Sequence, residues 1–196
     1  MNSDVTTAQE APAGPVQRYS GIQIALHWII ALLIIGMIPV GKVMTELDPS
    51  NLTNLLYELH KSFGLIIFGL AVIRIGARFA LGAPALEPNM PRWQVMAARV
   101  SHAALYALII LVPLTGWAAT SACCAPVNLF WTIPLTLPIG GGFDTAGPIF
   151  QLHNIFTMTL IALVLIHALA ALYHHYSMKD DTLRKMMPGS KGKGRR

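Results

Sequence analysis

Four long apolar runs, parted by shorter polar stretches, organise the chain. They cover residues 20–43, 58–80, 95–120 and 149–176. Each is long enough for a helix to cross a hydrocarbon core, which takes about 20 residues. The pattern predicts an all-α membrane protein, a four-transmembrane-helix bundle over residues 20–178. Residues 1–19, MNSDVTTAQEAPAGPVQRY, are polar and rich in Ala and Pro. They lack the apolar centre of a secretory signal peptide and read as a disordered tail. Residues 179–196 read as a basic tail with a flexible end, GSKGKGRR.

The connections at 44–57 and 121–148 belong to one end of the bundle. The second contains NLFWTIPLTLPIGGGF. Pro134, Pro138 and Gly140–Gly142 argue against a further span, and Phe130 and Trp131 suit a membrane interface. The expectation is a loop, with or without a short surface helix, folded over the bundle ends. Pro113 predicts a kink in the third helix. Cys123 and Cys124 form neither a CxxC motif nor a zinc set. They read as free thiols or an incidental pair ahead of any function, with a strained vicinal disulfide also open.

Composition agrees with lipid as the solvent. Hydrophobic residues make up 54% of the 196, and Asp, Glu, Lys and Arg only 12%, about half the share of soluble domains. Mean hydropathy is +0.55. Arg18, Arg74, Arg78, Arg92, Arg99, Lys179, Arg184, Lys185, Lys191, Lys193, Arg195 and Arg196 fall on one side, which is 12 of the 14 basic residues. Only Lys42 and Lys61 fall on the other. The positive-inside rule then places both termini in the cytoplasm. The net charge of +5 follows from this topology, with anionic lipid as its neighbour. It calls for no nucleic acid.

Histidines carry the candidate chemistry, because ionisable groups inside a membrane mark functional sites. His153 and His167 are fourteen residues apart. At about 1.5 Å and about 100° per residue, that is about 21 Å and nearly four turns. The two therefore share a face, one in each leaflet. Depth counting sets His60 level with His153 in the outer leaflet and His27 level with His167 in the inner one. Two histidines from different helices at each level suit haem, with one nitrogen on each side of the iron. Zinc fits less well, since no carboxylate or thiolate completes a tetrahedron. A proton relay needs acidic groups within the spans, and only Glu58 stands at a helix edge.

Other residues fit the same layout. Arg74 follows His60 by fourteen residues, so it either meets a haem propionate or anchors the helix at the inner headgroups. Gly64 and Gly69 either admit a flat macrocycle or serve small-residue helix packing. His102, near the inner surface, has no mate by depth. His174 lies seven residues beyond His167 and either meets a quinone carbonyl or sits among headgroups. His175 reads as solvent-exposed.

The segments RYSGIQIALHW, ELHKSFGLIIFGLAVIRIGAR, HAALYALIILVPLTGW and LHNIF…LIHALAALYHHYSMKDDTLRKMMPG resemble the bacterial cytochrome b561 family over residues 17–188. The resemblance implies an inner-membrane bundle with two b-type haems, the inner held by His27 and His167 and the outer by His60 and His153. It implies electron exchange with ubiquinone, with His174 as the quinone contact. One family member oxidises superoxide on the periplasmic side. The outer end here carries Glu46, Asp48, Glu58 and Asp144 against Lys42 and Lys61, so it offers no evident steering of an anion. Lys61, beside His60, acts at most locally. A periplasmic redox protein is an equal alternative to superoxide, and the chain is either a quinone-linked oxidoreductase or an electron carrier. The remaining alternatives are a haem subunit of a larger dehydrogenase or hydrogenase, and a haem-free transporter or proton channel.

Overall fold

Apolar sequence of this length saves its backbone from lipid only by helix formation, and helices dominate the computed structural model. It describes residues 18–87, 90–124 and 126–189. Helix α1 spans Gly21–Glu46, α2 Asn51–Leu81, α3 Arg92–Cys123 and α4 Gly142–Tyr173. All four are long and apolar enough to cross a membrane. Successive helices pack side by side, α1 on α2, α2 on α3 and α3 on α4.

The helix ends have local causes. Ser20 and Gln23 form a reciprocal capping box at α1. Ser50 caps α2 by accepting from the Thr53 N–H at 3.2 Å. That cap explains why α2 begins at Asn51 rather than at the apolar edge near Glu58. The glycines read as a barrier to helix instead make the sharp entry into α4. Gly141 and Gly142 have φ of 110° and 64°, and a Cβ on Gly141 would lie 2.0 Å from Thr145 Oγ1. Prolines 39, 113 and 148 all lie within helices, so Pro113 is one of three.

The core occupies the middle of the bundle. Ile30, Ile34, Ile67, Ala71, Leu108, Ile109 and Leu160 form it, with Met37, Tyr106 and Phe156 packed around them. Outward faces are apolar too: Leu32 is 65% exposed and Leu165 59%. A surface of this kind is stable against hydrocarbon, where exposed leucine costs nothing.

Among its described residues, the 124–141 connection contains no surface helix. It forms a small hairpin of β1 (Asn128–Leu129) and β2 (Ile133–Pro134). Ser62, fully buried, donates to Asn128 O at 3.5 Å and accepts from the Phe130 N–H at 2.9 Å. The Phe130 ring meets Phe63 at 5.5 Å, so it covers the bundle end, while Trp131 remains exposed. Trp117 Nε1 donates to Leu135 O, and the Leu137 N–H donates to Ser121 Oγ at 3.1 Å. Cys123 and Cys124 are joined as a disulfide, which corrects the free-thiol expectation. The chain turns out of α3 at these residues and holds the two thiols together.

At the opposite end the chain folds back on itself. Residues 174–178 form a π-turn and 184–186 a short 3-10 turn. Arg18 donates to Met187 O, the Tyr19 N–H to Lys185 O at 3.3 Å, and Trp28 Nε1 to Met186 O at 2.8 Å. Lys185 Nζ reaches Ala85 O at 2.8 Å and Glu87 at 2.7 Å. Residues 179–189 are thus a packed strap rather than a tail, and they bring both ends of the described chain to one end of the bundle. The tails expected at 1–17 and 190–196 lie outside the described residues.

Candidate functional site

Two histidine pairs flank the apolar core along the bundle axis. His60 of α2 and His153 of α4 have ring centres 6.3 Å apart, with planes at 82°. His27 of α1 and His167 of α4 are also 6.3 Å apart, at 68°. Ile30 and Ile34, Ile67 and Ala71, and Leu160 fill the space between the two layers.

The geometry fits a group that supplies most of its own ligands. Among the described residues, no three of His, Cys, Asp and Glu converge on a metal position. Two imidazoles bound to one iron from opposite sides have centres about 6 Å apart, given bonds of about 2 Å and about 1.1 Å from nitrogen to ring centre. Both pairs match. The His102 ring, by contrast, lies 5.4 Å from His167, too close for that arrangement. His102 therefore does face a partner, a contact that depth counting missed.

In the His60–His153 pair, one ring is oriented by a backbone carbonyl. His153 Nδ1 lies 2.8 Å from Val112 O, so Nδ1 carries the proton and donates, leaving the Nε2 lone pair free. An imidazole oriented through its other nitrogen is a common feature of metal ligands. Close approach depends on two glycines absent from the sequence reading. A Cβ on Gly116 would lie 3.0 Å from His153 Cε1, and one on Gly41 would lie 3.1 Å from His60 Cε1. His60 Nδ1 is buried with no hydrogen-bond partner among the described residues. By contrast, a Cβ on Gly64 or Gly69 would meet nothing within 4 Å. Helix packing therefore does not account for either glycine, and the half-buried Gly64 has open space before it.

Arg74 lies in the layer of His27 and His167. Its guanidinium donates to Gln23 O at 3.1 Å, lies 3.2 Å from His27 Nδ1 and sits over the Tyr106 ring at 5.7 Å. Arginine only donates, so this contact leaves the His27 proton on Nε2. Ligation through Nε2 requires the opposite tautomer, and Arg74 must then leave Nδ1. A guanidinium so released is placed for a carboxylate.

Lys61 pairs with Glu58, and both are largely buried. Lys42 pairs with Glu46 at 2.7 Å. Both lysines of this end thus face carboxylates. At the other end, His174 Nδ1 meets Asp180 Oδ2 at 2.5 Å. His175 is half-buried beside Tyr176 at 4.9 Å, not free in solvent.

Residues 18–189 match the family model described as prokaryotic cytochrome b561. The chain is 33% identical to cytochrome b561 homolog 2 of Escherichia coli, over 87% of this chain and 92% of that protein. It is 30% identical to the probable superoxide oxidase CybB of Yersinia pestis, over 90% and 99%. It is 33% identical to cytochrome b562 of Cereibacter sphaeroides, over 86% and 94%. With its four membrane-spanning helices, the chain belongs to the prokaryotic cytochrome b561 family of membrane electron-transfer proteins, a family that implies b-type haem.

Proposed function

We propose that this chain moves electrons across the bacterial inner membrane through two b-type haems, between a donor at the outer end and ubiquinone at the inner end. The equal 6.3 Å spacing of the two histidine pairs carries this reading. His60 and His153 would hold one haem, and His27 and His167 the other. Each haem would supply a one-electron carrier, and a histidine pair at each site would favour electron transfer over oxygen binding.

The protein's own residues orient and insulate that path. Val112 O fixes the His153 ring, and Gly41 and Gly116 let the outer rings lie against α1 and α3. Gly64, one turn beyond His60, gives a flat face to the macrocycle. The core of Ile30, Ile34, Ile67 and Leu160 excludes water between the layers, so charge cannot leak there as protons. Arg74 would hold a carboxylate of the inner haem by a strong charge-assisted bond in apolar surroundings. His102, against His167, borders the same haem. His174 contacts the quinone. The twelve basic residues assigned inside by the sequence support a cytoplasmic location for both termini.

Two donors fit the outer end. The Yersinia relative's name supports superoxide. The paired lysines and the surplus of Asp48 and Asp144 instead favour a periplasmic redox protein with a basic face. Stopped-flow reduction of the oxidised protein by superoxide separates them: fast haem reduction supports superoxide, and none leaves the protein donor. A role as the haem subunit of a larger complex uses the same haem path. A haem-free transporter or proton channel is set aside by family membership.

A further inference from the structure

The His174–Asp180 contact is built by a departure from regular helix. After Tyr173 the chain widens into the π-turn His174–Met178, a distortion that recurs at functional sites. Lys179 then takes a left-handed conformation, φ 55°, which turns the chain back. The Asp180 N–H donates to His174 O at 3.2 Å, and the Asp180 carboxylate returns to the imidazole of His174. Both side chains are largely buried, 13% and 14% exposed.

Each carboxylate oxygen has its own donor. Oδ2 accepts from His174 Nδ1, and Oδ1 accepts from the Thr182 N–H at 2.9 Å. The neighbouring Asp181 is engaged elsewhere, with Arg184 at 3.1 Å. An ionised carboxylate only accepts. The proton on Nδ1 is therefore fixed, and Nε2 is the nitrogen left to exchange a proton. Burial alone would raise the Asp180 pKa, but the bonds from His174 and Thr182 outweigh it and hold the carboxyl below its ordinary value.

We propose that Asp180 is the positioning residue of the inner quinone site, holding His174 by Nδ1 so that Nε2 delivers protons to the quinone. The proposal rests on the quinone reading of His174 given above. Quinone takes up two electrons arriving from the outer donor and two protons, giving quinol. In each delivery the His174 imidazolium, paired with the Asp180 carboxylate, gives its Nε2 proton to a quinone oxygen. The ring becomes neutral with Nδ1–H still on Asp180. Water at the inner surface then returns a proton to Nε2. Besides Asp180, the Tyr173 ring lies beside that of His174, with centres 6.1 Å apart, and His175 is the next residue along the chain. Lys179 and the Asp181–Arg184 pair lie on the same turn.

The test uses the full-length protein with both haems, reduced and then mixed with a short-chain ubiquinone analogue. Wild type should be reoxidised rapidly, which establishes the quinone reaction independently. Asp180→Asn should keep its haem content and spectrum. Its reoxidation should slow about 10- to 100-fold, in the maximal rate more than in the quinone concentration needed, with an enlarged solvent deuterium isotope effect. Asp180→Glu should recover much of the rate, and Asp181→Asn should match wild type. His174→Gln should be slow, and adding Asp180→Asn to it should cost little more. Wild-type reoxidation that Asp180→Asn leaves unchanged overturns the proposal, and so does loss of haem in that variant, which would make the pair a structural clasp. A wild type inert to quinone instead refutes the underlying quinone reading.

Discussion

Gly116 of α3 and His153 of α4 touch so closely that a Cβ on the glycine would lie 3.0 Å from the imidazole Cε1. Alanine needs a shift of a few tenths of an ångström, whereas a branched side chain must push the ring away. Gly116→Val should therefore lose the outer haem while retaining the inner one, at an overpacking cost of about 1–3 kcal/mol. Haem per chain and thermal melting check both parts. Retention of both haems would show that His153 does not depend on this approach.

Ser62 ties the hairpin to α2 from a fully buried position. Ser62→Ala leaves the Phe130 N–H without its acceptor, which costs about 1–3 kcal/mol. A lower melting temperature, with both haems retained, is the expected outcome. Perturbation should centre on the outer haem, two residues from Ser62 at His60.

Arg74 is the cation in contact with His27. Removing a cation near haem favours the oxidised, more positive iron. Arg74→Leu should lower the inner potential by roughly tens of millivolts and leave the outer one nearly unchanged. Arg74→Lys keeps the charge and should lie between. Equal shifts of both potentials in a redox titration would contradict the placement.

The Cys123–Cys124 disulfide implies that denatured, unreduced protein takes up no thiol label, and that reduction exposes both cysteines. Disulfides persist in oxidising compartments, so this result also supports a periplasmic location for that end. Labelling before reduction would refute it.

The Asp180 carboxyl is held below its ordinary value by the bonds from His174 and Thr182, against the effect of burial. A depressed pKa stabilises the fold fully above the unfolded value of about 4, and that stabilisation fades as pH falls through the lower folded value. Wild type should melt above Asp180→Asn at neutral pH. The two should converge in acid.

Much of this arrangement was legible in the sequence because a helix converts spacing into depth. The fourteen-residue step from His153 to His167 sets both levels, and the four helices needed only hydropathy. The same step joins His27 to Gly41, His60 to Arg74 and His102 to Gly116, so the two packing glycines carried a signal that a search confined to ionisable groups passes over. Gly64 and Gly69 drew attention by residue type, yet no neighbour lies close to them. The His102–His167 contact depends on how far α3 rotates against α4, which spacing within one helix does not encode. Asp180 was hidden for a different reason. Its approach to His174 requires the π-turn and the left-handed Lys179, and no periodicity announces either. The strap at 179–189 reads in sequence as part of a basic tail, although Ala85 and Glu87 receive Lys185.

The central claim is that each histidine pair holds one b-type haem, and haem quantitation on purified wild type and His153→Ala tests it most directly. The account predicts two haems per wild-type chain and one in the variant, the survivor keeping the potential of the Arg74-sensitive centre. One haem in wild type, or loss of the Arg74-sensitive haem in His153→Ala, would contradict it.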